Sequence, residues 1–313
     1  MKIETVQSRV IAPGAVEWPD RLDELGGIDP PLELFAAGRP FNPGAPCLAV
    51  VGTRRPTAGG LHVARSFARG FAEAGITVVS GLAVGIDSAG HSSTLDAGGA
   101  TVAVLGCGLD VDYPRRNRAL RARIVASGTL LSEYSPGTPP NRYNFPARNR
   151  IIAGLVMGVV VVEGAITSGA LVTARLALEA NRSVYAVPGS IRNPMAAGPN
   201  ELIRTSQAQL VRSVEDVFED LAPELLATVR GHAPRDMPRV DATELDILRT
   251  LDDSPVAVDE IARATGGPPG KIAVVLAALE LRGLASRNRG GYYLTEAGAR
   301  GMAAAIEFEQ DSS

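Results

Sequence analysis

From Cys47 to about Val211 the chain alternates short apolar runs with amphipathic stretches. The runs are CLAVVG (47–52), ITVVSG (76–81), ATVAVLG (100–106), TLLSEY (129–134), GVVVVEG (158–164) and SVYAVPG (183–189). Most are rich in β-branched residues, apolar along their length, and end in Gly or a polar residue, the pattern of parallel strands buried on both faces. Between them, HVARSFARGFAEAG and LVTARLALEAN place apolar residues three and four apart and predict helices. The alternation predicts an α/β domain over residues 45–221, a doubly wound and mostly parallel sheet. Functional groups then belong in the loops that follow the carboxyl ends of the strands.

The flanks differ. Residues 1–44 are rich in Pro and Gly and predict an irregular lead-in, and residues 222–239, with three prolines, predict a linker. Over residues 240–301, Thr243–Leu251, Val258–Thr265 and Lys271–Arg282 have helical periodicity, and SRNRGGYYLTEAG predicts two short strands joined at Gly-Gly. Three helices and a hairpin make a small C-terminal winged helix-turn-helix domain, followed by a tail, 302–313. The longest apolar run, Ile151–Val162, is too short to span a bilayer and predicts a helix end running into a buried strand. The N-terminus has no apolar signal core, and Cys47 and Cys107 have no metal-ligand spacing, so the expectation is a cytoplasmic protein without membrane attachment, metal or cofactor.

Charge narrows the partners. The net charge is −3, so any nucleic-acid surface must be local. Lys2 and Lys271 are the only lysines among 31 cationic residues; the Arg excess suits bidentate phosphate contacts but equally follows from genomic base composition. From Val240 to Arg300 nine acids face seven bases, a poor balance for an autonomous DNA reader. The third winged-helix helix is mostly Ala, Val and Leu, which favours protein contact or auxiliary DNA binding through Arg287 and Arg289 of the wing.

Five loops hold the unusual residues. In Gly52-Thr53-Arg54-Arg55-Pro56-Thr57, Gly allows close backbone approach and Arg54 can fork onto a phosphate, although a solvated turn fits equally. The run is neither GxGxxG nor a Walker loop. Ser80-Gly81-Leu82-Ala83-Val84-Gly85-Ile86-Asp87 offers further backbone for a phosphate, with Asp87 placed to cap the next helix. Asp87 and His91 share a helix face, but no Ser or Cys nucleophile completes a catalytic set. Between Asn141 and Arg175 there are four Arg and one Glu. There Phe145 lies among Arg142, Arg148 and Arg150, on a stretch that Pro139, Pro140 and Pro146 are expected to keep out of regular helix. Cations tracking phosphates beside a ring that stacks an unpaired base suit single-stranded DNA; the alternative anchors Phe145 in the core. After the next run, Ser168 and Gly169 offer a hydroxyl and free N–H groups at a helix start, and Glu163 is expected to order loops. Asn193–Pro199 closes the same edge. Arg115, Arg116, Arg118, Arg121 and Arg123 are expected as the solvated start and face of a helix.

The strings VGTRRPT, VVSGLAVGIDSAGH, TVAVLGCGLDVDYP, LLSEY, FPARNRIIAGL, VVVVEGAITSGALVTARLALE and VYAVPG occur in the order typical of the DNA-processing protein A family (DprA/Smf), which the chain resembles from about residue 20 into the winged-helix region. The resemblance implies a Rossmann-like core that binds single-stranded DNA, forms a homodimer, protects incoming DNA and loads the RecA recombinase during natural transformation, with no catalytic activity. It places DNA-binding positions at Arg54, Arg142, Phe145, Arg148, Asn149, Arg150, Ser168 and Gly169. Gly52, Thr53, Ser80, Gly81 and Gly85 are the expected phosphate-loop backbone; Asp87 and Glu163 are expected to be structural. There are departures: an N-terminal helical domain common in the family is not expected here, the usual Gly-Thr-Asn is Gly198-Pro199-Asn200, the following Gly-Ala is Ser206-Gln207, and Arg142 stands where Lys is common. The competing reading is a nucleotide-binding or nucleotide-hydrolysing enzyme akin to the phosphoribohydrolases, but the loop from Glu163 lacks their Gly-Gly pair and downstream Glu. A promoter-reading winged-helix protein is disfavoured by the acidic C-terminal unit.

Overall fold

The computed structural model describes residues 7–25, 28–221, 240–252, 254–288, 290–295, 298–299, 301–302 and 305. They belong to two compact units, divided between residues 231 and 232.

In the first unit all six predicted runs are strands: β3 (Cys47–Val51), β4 (Thr77–Ser80), β5 (Thr101–Leu105), β6 (Thr129–Ser132), β7 (Gly158–Val161) and β8 (Ser183–Ala186). They pair in parallel, and with β1 (Arg9–Ile11), β2 (Leu34–Gly38) and β9 (Gln209–Leu210) they build a nine-stranded sheet ordered β1-β2-β6-β5-β4-β3-β7-β8-β9. Only β2 runs against the rest, pairing antiparallel with both β1 and β6. The chain winds outward from β3 to β6, then returns to place β7 on the other side of β3, with Leu48 opposite Gly158 and Val51 opposite Val161. Strand order therefore reverses between β3 and β7, and a crevice opens there beyond the carboxyl ends.

The expected irregular lead-in is corrected. Its residues include β1 and β2, and Trp18, Leu22 and Leu25 are almost fully buried. Leu22 and Leu25 press against Gly154 of helix α4 (Asn144–Leu155), where a Cβ would come within 2.7 Å of either side chain. Pro and Gly mark the turns of this segment, while its scattered apolar residues cover one end of the sheet.

Side-chain alternation divides the core between two faces. Ala49 and Val51 face α4, α5 (Gly169–Glu179) and α6 (Ala197–Arg204), while Leu48 and Val50 face α1 (Ala58–Glu73), α2 (Ile86–Asp96) and α7 (Val214–Leu221). Helix α3 (Arg118–Ser127) covers Ala103 and Leu105 on the latter face. Helix α1 shows the logic of the helices: Thr57 caps it by accepting the Gly60 N–H at 2.9 Å, and Gly60, Ala64, Phe67, Ala68 and Phe71 form its buried stripe.

The second unit carries α8 (Ala242–Leu248), α9 (Val258–Thr265), α10 (Pro269–Leu281) and the antiparallel hairpin β10 (Ala285–Asn288) and β11 (Gly291–Leu294), a winged helix. An Asp241–Glu244 capping box starts α8, Gly266 in a left-handed conformation ends α9, and Pro269 opens α10. Ile247, Ile261, Leu276 and Leu279 fill its core, leaving Val274 and Leu281 of α10 exposed. Arg287 lies 5.7 Å from the Tyr292 ring centroid. The linker 222–239, Arg289 and most of the tail 302–313 lie outside the described residues.

Inside the sheet domain His91 is completely buried, and its Nδ1 is 2.7 Å from Thr101 Oγ1, which itself donates to the Val78 carbonyl. The imidazole therefore donates from Nδ1–H. Burial, reinforced by nearby Arg148, lowers its pKa from 6.5 to about 3. The folded state keeps this ring neutral while the unfolded chain binds a proton below pH 6.5. Stability is thus fully present above that value and falls as pH drops toward the folded value, by up to about 1.4 kcal/mol per pH unit. Replacing His91 by Asn is expected to flatten the decline in urea-unfolding free energy between about pH 6.5 and 5, above the main carboxylate range. An Asn variant with the wild-type slope would assign that decline to another group.

Candidate nucleic-acid interface

The loops at the strand reversal enclose an open cleft of about 640 Å³. Val51–Arg54 come from the end of β3, Ala83 and Asp87 from beyond β4, and Tyr113 from beyond β5. Arg142, Phe145, Arg148 and Asn149 come from beyond β6, and Ser168 and Gly169 from beyond β7. Seven of the eight expected DNA-contacting residues line it: Arg54, Arg142, Phe145, Arg148, Asn149, Ser168 and Gly169; Arg150 does not.

The stretch around Phe145 is helical rather than irregular. Asn144 begins α4, so Pro146 lies in the first turn, where its missing N–H removes no helical hydrogen bond. Phe145 is half-buried at the cleft edge. Its ring lies 5.4 Å from that of Tyr113, tilted by 30°, and the Arg54 guanidinium stands 5.6 Å from its centroid. A Cβ on Gly106 would meet the Phe145 ring at 2.9 Å, so this glycine makes room for it. Arg142 is exposed and lies 4.6 Å from the centroid of the exposed Tyr143 ring.

Helical spacing sends Arg148 and Arg150, both expected to contact DNA, to different partners inside the protein. Arg148 is 5% exposed and donates to the Gly81 carbonyl at 2.9 Å and to that of Val104. Its guanidinium crosses Gly81, where a Cβ would lie 2.4 Å from Nη2. Burial draws its pKa down to about 10, with Asp87 opposing the shift, so it remains cationic at neutral pH at the floor of the cleft. Arg150 pairs with Glu133 at 2.5 Å, both side chains largely buried. Asn149 accepts from Arg148 Nε and donates to the Gly169 carbonyl at 3.3 Å, tying α4 to α5.

Of the five residues expected as phosphate-loop backbone, three have amides already engaged within the protein. Thr53 N–H donates to the Glu163 carbonyl at 2.7 Å, Gly81 N–H to the Asp87 carboxylate at 3.1 Å, and Gly85 N–H to Ser88 Oγ at 3.1 Å. Ser80 is fully buried and its hydroxyl donates to the Val50 carbonyl. Gly52 serves packing, since a Cβ there would strike Ile86 at 2.5 Å. These amides already have partners inside the protein. Ser168 Oγ is likewise buried, with no hydrogen-bond partner among the described residues, so this turn presents backbone rather than its hydroxyl.

Two carboxylates organise these loops. Asp87 accepts from Gly81 N–H and Ala83 N–H; burial raises its pKa against the opposing pull of Arg148. Glu163 accepts from the Thr57 N–H at 2.9 Å, the Thr57 hydroxyl at 2.7 Å and Asn193 Nδ2 at 3.1 Å. Its negative charge thus occupies the N-terminus of α1, where an external anion would otherwise be favoured. The edge residue Asn200 holds its loop by exchanging two hydrogen bonds with the Gly189 backbone. Among the described residues no cluster of three or more His, Cys, Asp or Glu is placed to hold a metal, and no helix is long and apolar enough to cross a membrane.

Sequence reasoning missed Tyr113. Its signal was the Tyr-Pro pair closing the β5 loop, just before the run of Arg residues. That run is not one solvated face. Arg121 is buried and donates to the Leu109 carbonyl, Arg118 approaches Asp112 at 3.8 Å, and Arg123 pairs with Asp96 at 2.6 Å.

Comparison with known proteins agrees with this arrangement. Residues 9–222 match the family described as DNA recombination-mediator protein A, and residues 231–291 match the DprA winged helix domain. Protein Smf of Escherichia coli is 39% identical over 285 residues, covering 88% of this chain and 74% of that protein. A putative DNA processing protein DprA of Mycobacterium tuberculosis is 39% identical over 314 residues, covering 95% and 79%. The X-ray structure of DNA processing protein A from Streptococcus pneumoniae superposes with a TM-score of 0.65 at 40% identity, covering 70% of this chain and 76% of that one. The Helicobacter pylori protein, whose structure is described in terms of its single-stranded DNA binding mode, gives 0.62 at 28% identity, covering 70% and 97%. With the family match spanning the whole sheet domain, this chain belongs to the DNA recombination-mediator protein A (DprA) family.

Proposed function

We propose that this chain binds single-stranded DNA in the cleft between the β3 and β7 loops, as a recombination mediator that protects incoming DNA in the cytoplasm. The observation that carries the proposal is the Arg54–Phe145–Tyr113 cluster at the topological switch point, with exposed Arg142 beside it. Cations meet phosphates there while ring edges and faces meet unpaired bases, and a duplex hides those faces. The Helicobacter pylori relative, described by its single-stranded DNA binding mode, supports the same reading. The proposal extends, through the family resemblance, to a homodimer that loads RecA from another surface.

No catalytic step belongs to this proposal. Glu163, the acid that the hydrolase alternative would use, accepts three hydrogen bonds at the start of α1 and is 6% exposed. Arg54 and Arg142 supply the exposed cations of the cleft, so affinity is expected to be strongly salt-dependent. In the winged helix, Arg287 offers auxiliary DNA contact, while the apolar α10 suits a protein partner.

A stacking base must displace Arg54 from the Phe145 ring, giving up an exposed cation–π contact of about 0.5–1 kcal/mol. Base stacking returns about 1–3 kcal/mol, and the released guanidinium can follow a phosphate. The direct test is fluorescence anisotropy with labelled polythymidine and a duplex control across a salt series. Salt-sensitive binding confined to the single strand is expected; duplex preference or no binding would reject the proposal. The Phe145→Ala variant should bind the single strand roughly tenfold more weakly. Unchanged affinity in the folded variant would remove Phe145 from the site. For Arg54→Ala, the slope of log affinity against log salt should flatten by about 0.7, the share of one phosphate contact. A wild-type slope would contradict that contact.

A further inference from the structure

In the winged-helix unit, α10 departs from the amphipathic pattern of its neighbour. Ile272, Leu276 and Leu279 on one side of it fill the core, with Val275 packed against them. Its outer side is apolar as well. Ala273, Val274, Ala277, Ala278 and Leu281 are exposed there, Val274 at 70% and Leu281 at 91%. On α9 the exposed positions Asp259, Glu260 and Arg263 are charged, the usual division for a surface helix. A helix that is apolar all round belongs in an interior, so the outer half of α10 calls for a cover.

Duplex DNA is a poor cover for this face. Base edges are read mainly by Arg, Lys, Asn and Gln, and the exposed stripe contains none of them; Lys271 stands at its margin. The order of side chains fits a copy of the same helix instead. Val274 lies three positions before Ala277 and Leu281 three positions after Ala278, so the stripe has the same layout from either end. Consider an antiparallel pair with a two-fold axis between Ala277 and Ala278. Val274 of each helix then lies against Leu281 of the other. The two contacts fall on either side of the axis, about 10 Å apart at 1.5 Å per residue. Alanines at the crossing let the helix axes approach to about 8 Å. By helical spacing Lys271 and Glu280 flank the stripe on opposite sides, so the pairing buries neither charge.

We propose that α10 is a self-association face, on which the winged helices of two copies of this chain pair antiparallel with Val274 against Leu281. The partner is thus a second copy, held by apolar contact rather than by charge. The stripe is small beside the roughly 1,200 Å² that a free-standing stable interface buries, so the pair is transient. Copies already joined elsewhere would hold the two helices at a raised effective concentration. The contact uses no residue of the DNA cleft.

The test introduces single cysteines into the full-length chain, whose own Cys47 and Cys107 are buried at 1% exposure and give little background. Ala278→Cys is compared with Ala264→Cys, an exposed position on α9, under mild copper–phenanthroline oxidation. Ala278→Cys should form the intermolecular disulfide far faster than Ala264→Cys. Adding Leu281→Glu should slow it by on the order of tenfold, the effect of losing one buried Leu contact, whereas Leu281→Met should leave it fast. Val274→Glu should act like Leu281→Glu. Both side chains are exposed in the single chain, so the melting temperature should stay at the wild-type value. Equal rates at the two cysteine positions, or an Ala278→Cys rate that Leu281→Glu leaves unchanged, overturn the pairing. So does an Ala278→Cys thiol that reacts freely with a soluble disulfide reagent yet forms no dimer, which would give the face to a different protein.

Discussion

The buried guanidinium of Arg148 is the tie on which the cleft depends. It reaches from α4 to the carbonyls of Gly81 and Val104, joining the helix that carries Phe145 to the ends of β4 and β5. Hydrogen bonds to a charged group contribute about 1.5–3 kcal/mol each, and their geometry fixes position as well as stability. Gly81 is where the guanidinium crosses, and Asp87 holds the same loop from the opposite side through its bonds to Gly81 and Ala83. One buried cation and one buried carboxylate thus set the floor from which the exposed groups rise.

A second consequence follows from Asp87 and Glu163 together. Glycine-rich loops beyond parallel strands commonly bind phosphate through backbone amides at helix N-termini. In this molecule internal oxygens accept those amides at Thr53, Gly81 and Gly85, and the Glu163 carboxylate stands at the start of α1. At those three amides a phosphate would have to displace existing hydrogen bonds, whereas Arg54 and Arg142 meet a backbone at no such cost. The same loop chemistry that resembles a nucleotide site therefore suits a polymer lying across the cleft.

The sheet and its helices were legible from the chain because a parallel strand buried on both faces has no polar positions to confuse its period. All six runs from Cys47 to Ala186 are strands, and the three winged-helix helices and Gly-Gly hairpin occur close to their expected bounds. β1 and β2 escaped this reading since they lie outside the strand–helix alternation, at the antiparallel end of the sheet, and are flanked by Pro and Gly. Between them, Leu22 and Leu25 find their packing partner at Gly154, more than a hundred positions away.

By itself the sequence determined the order of strands and helices, the winged-helix unit and which loops gather beyond the carboxyl edge, since these follow from local periodicity and turn chemistry. It also determined the residue types available there: Arg, aromatic rings, glycines and two isolated acids. The tertiary structure decided what each could do. Arg148 and Arg150 differ by two positions, yet on a helix that places one beneath Gly81 and the other against Glu133. Tyr113 and Phe145 lie far apart in the chain and meet only because β5 and α4 converge on the same crevice. Whether a cation is free for DNA or consumed by a carbonyl depends on such non-local partners, and no spacing along the chain encodes them.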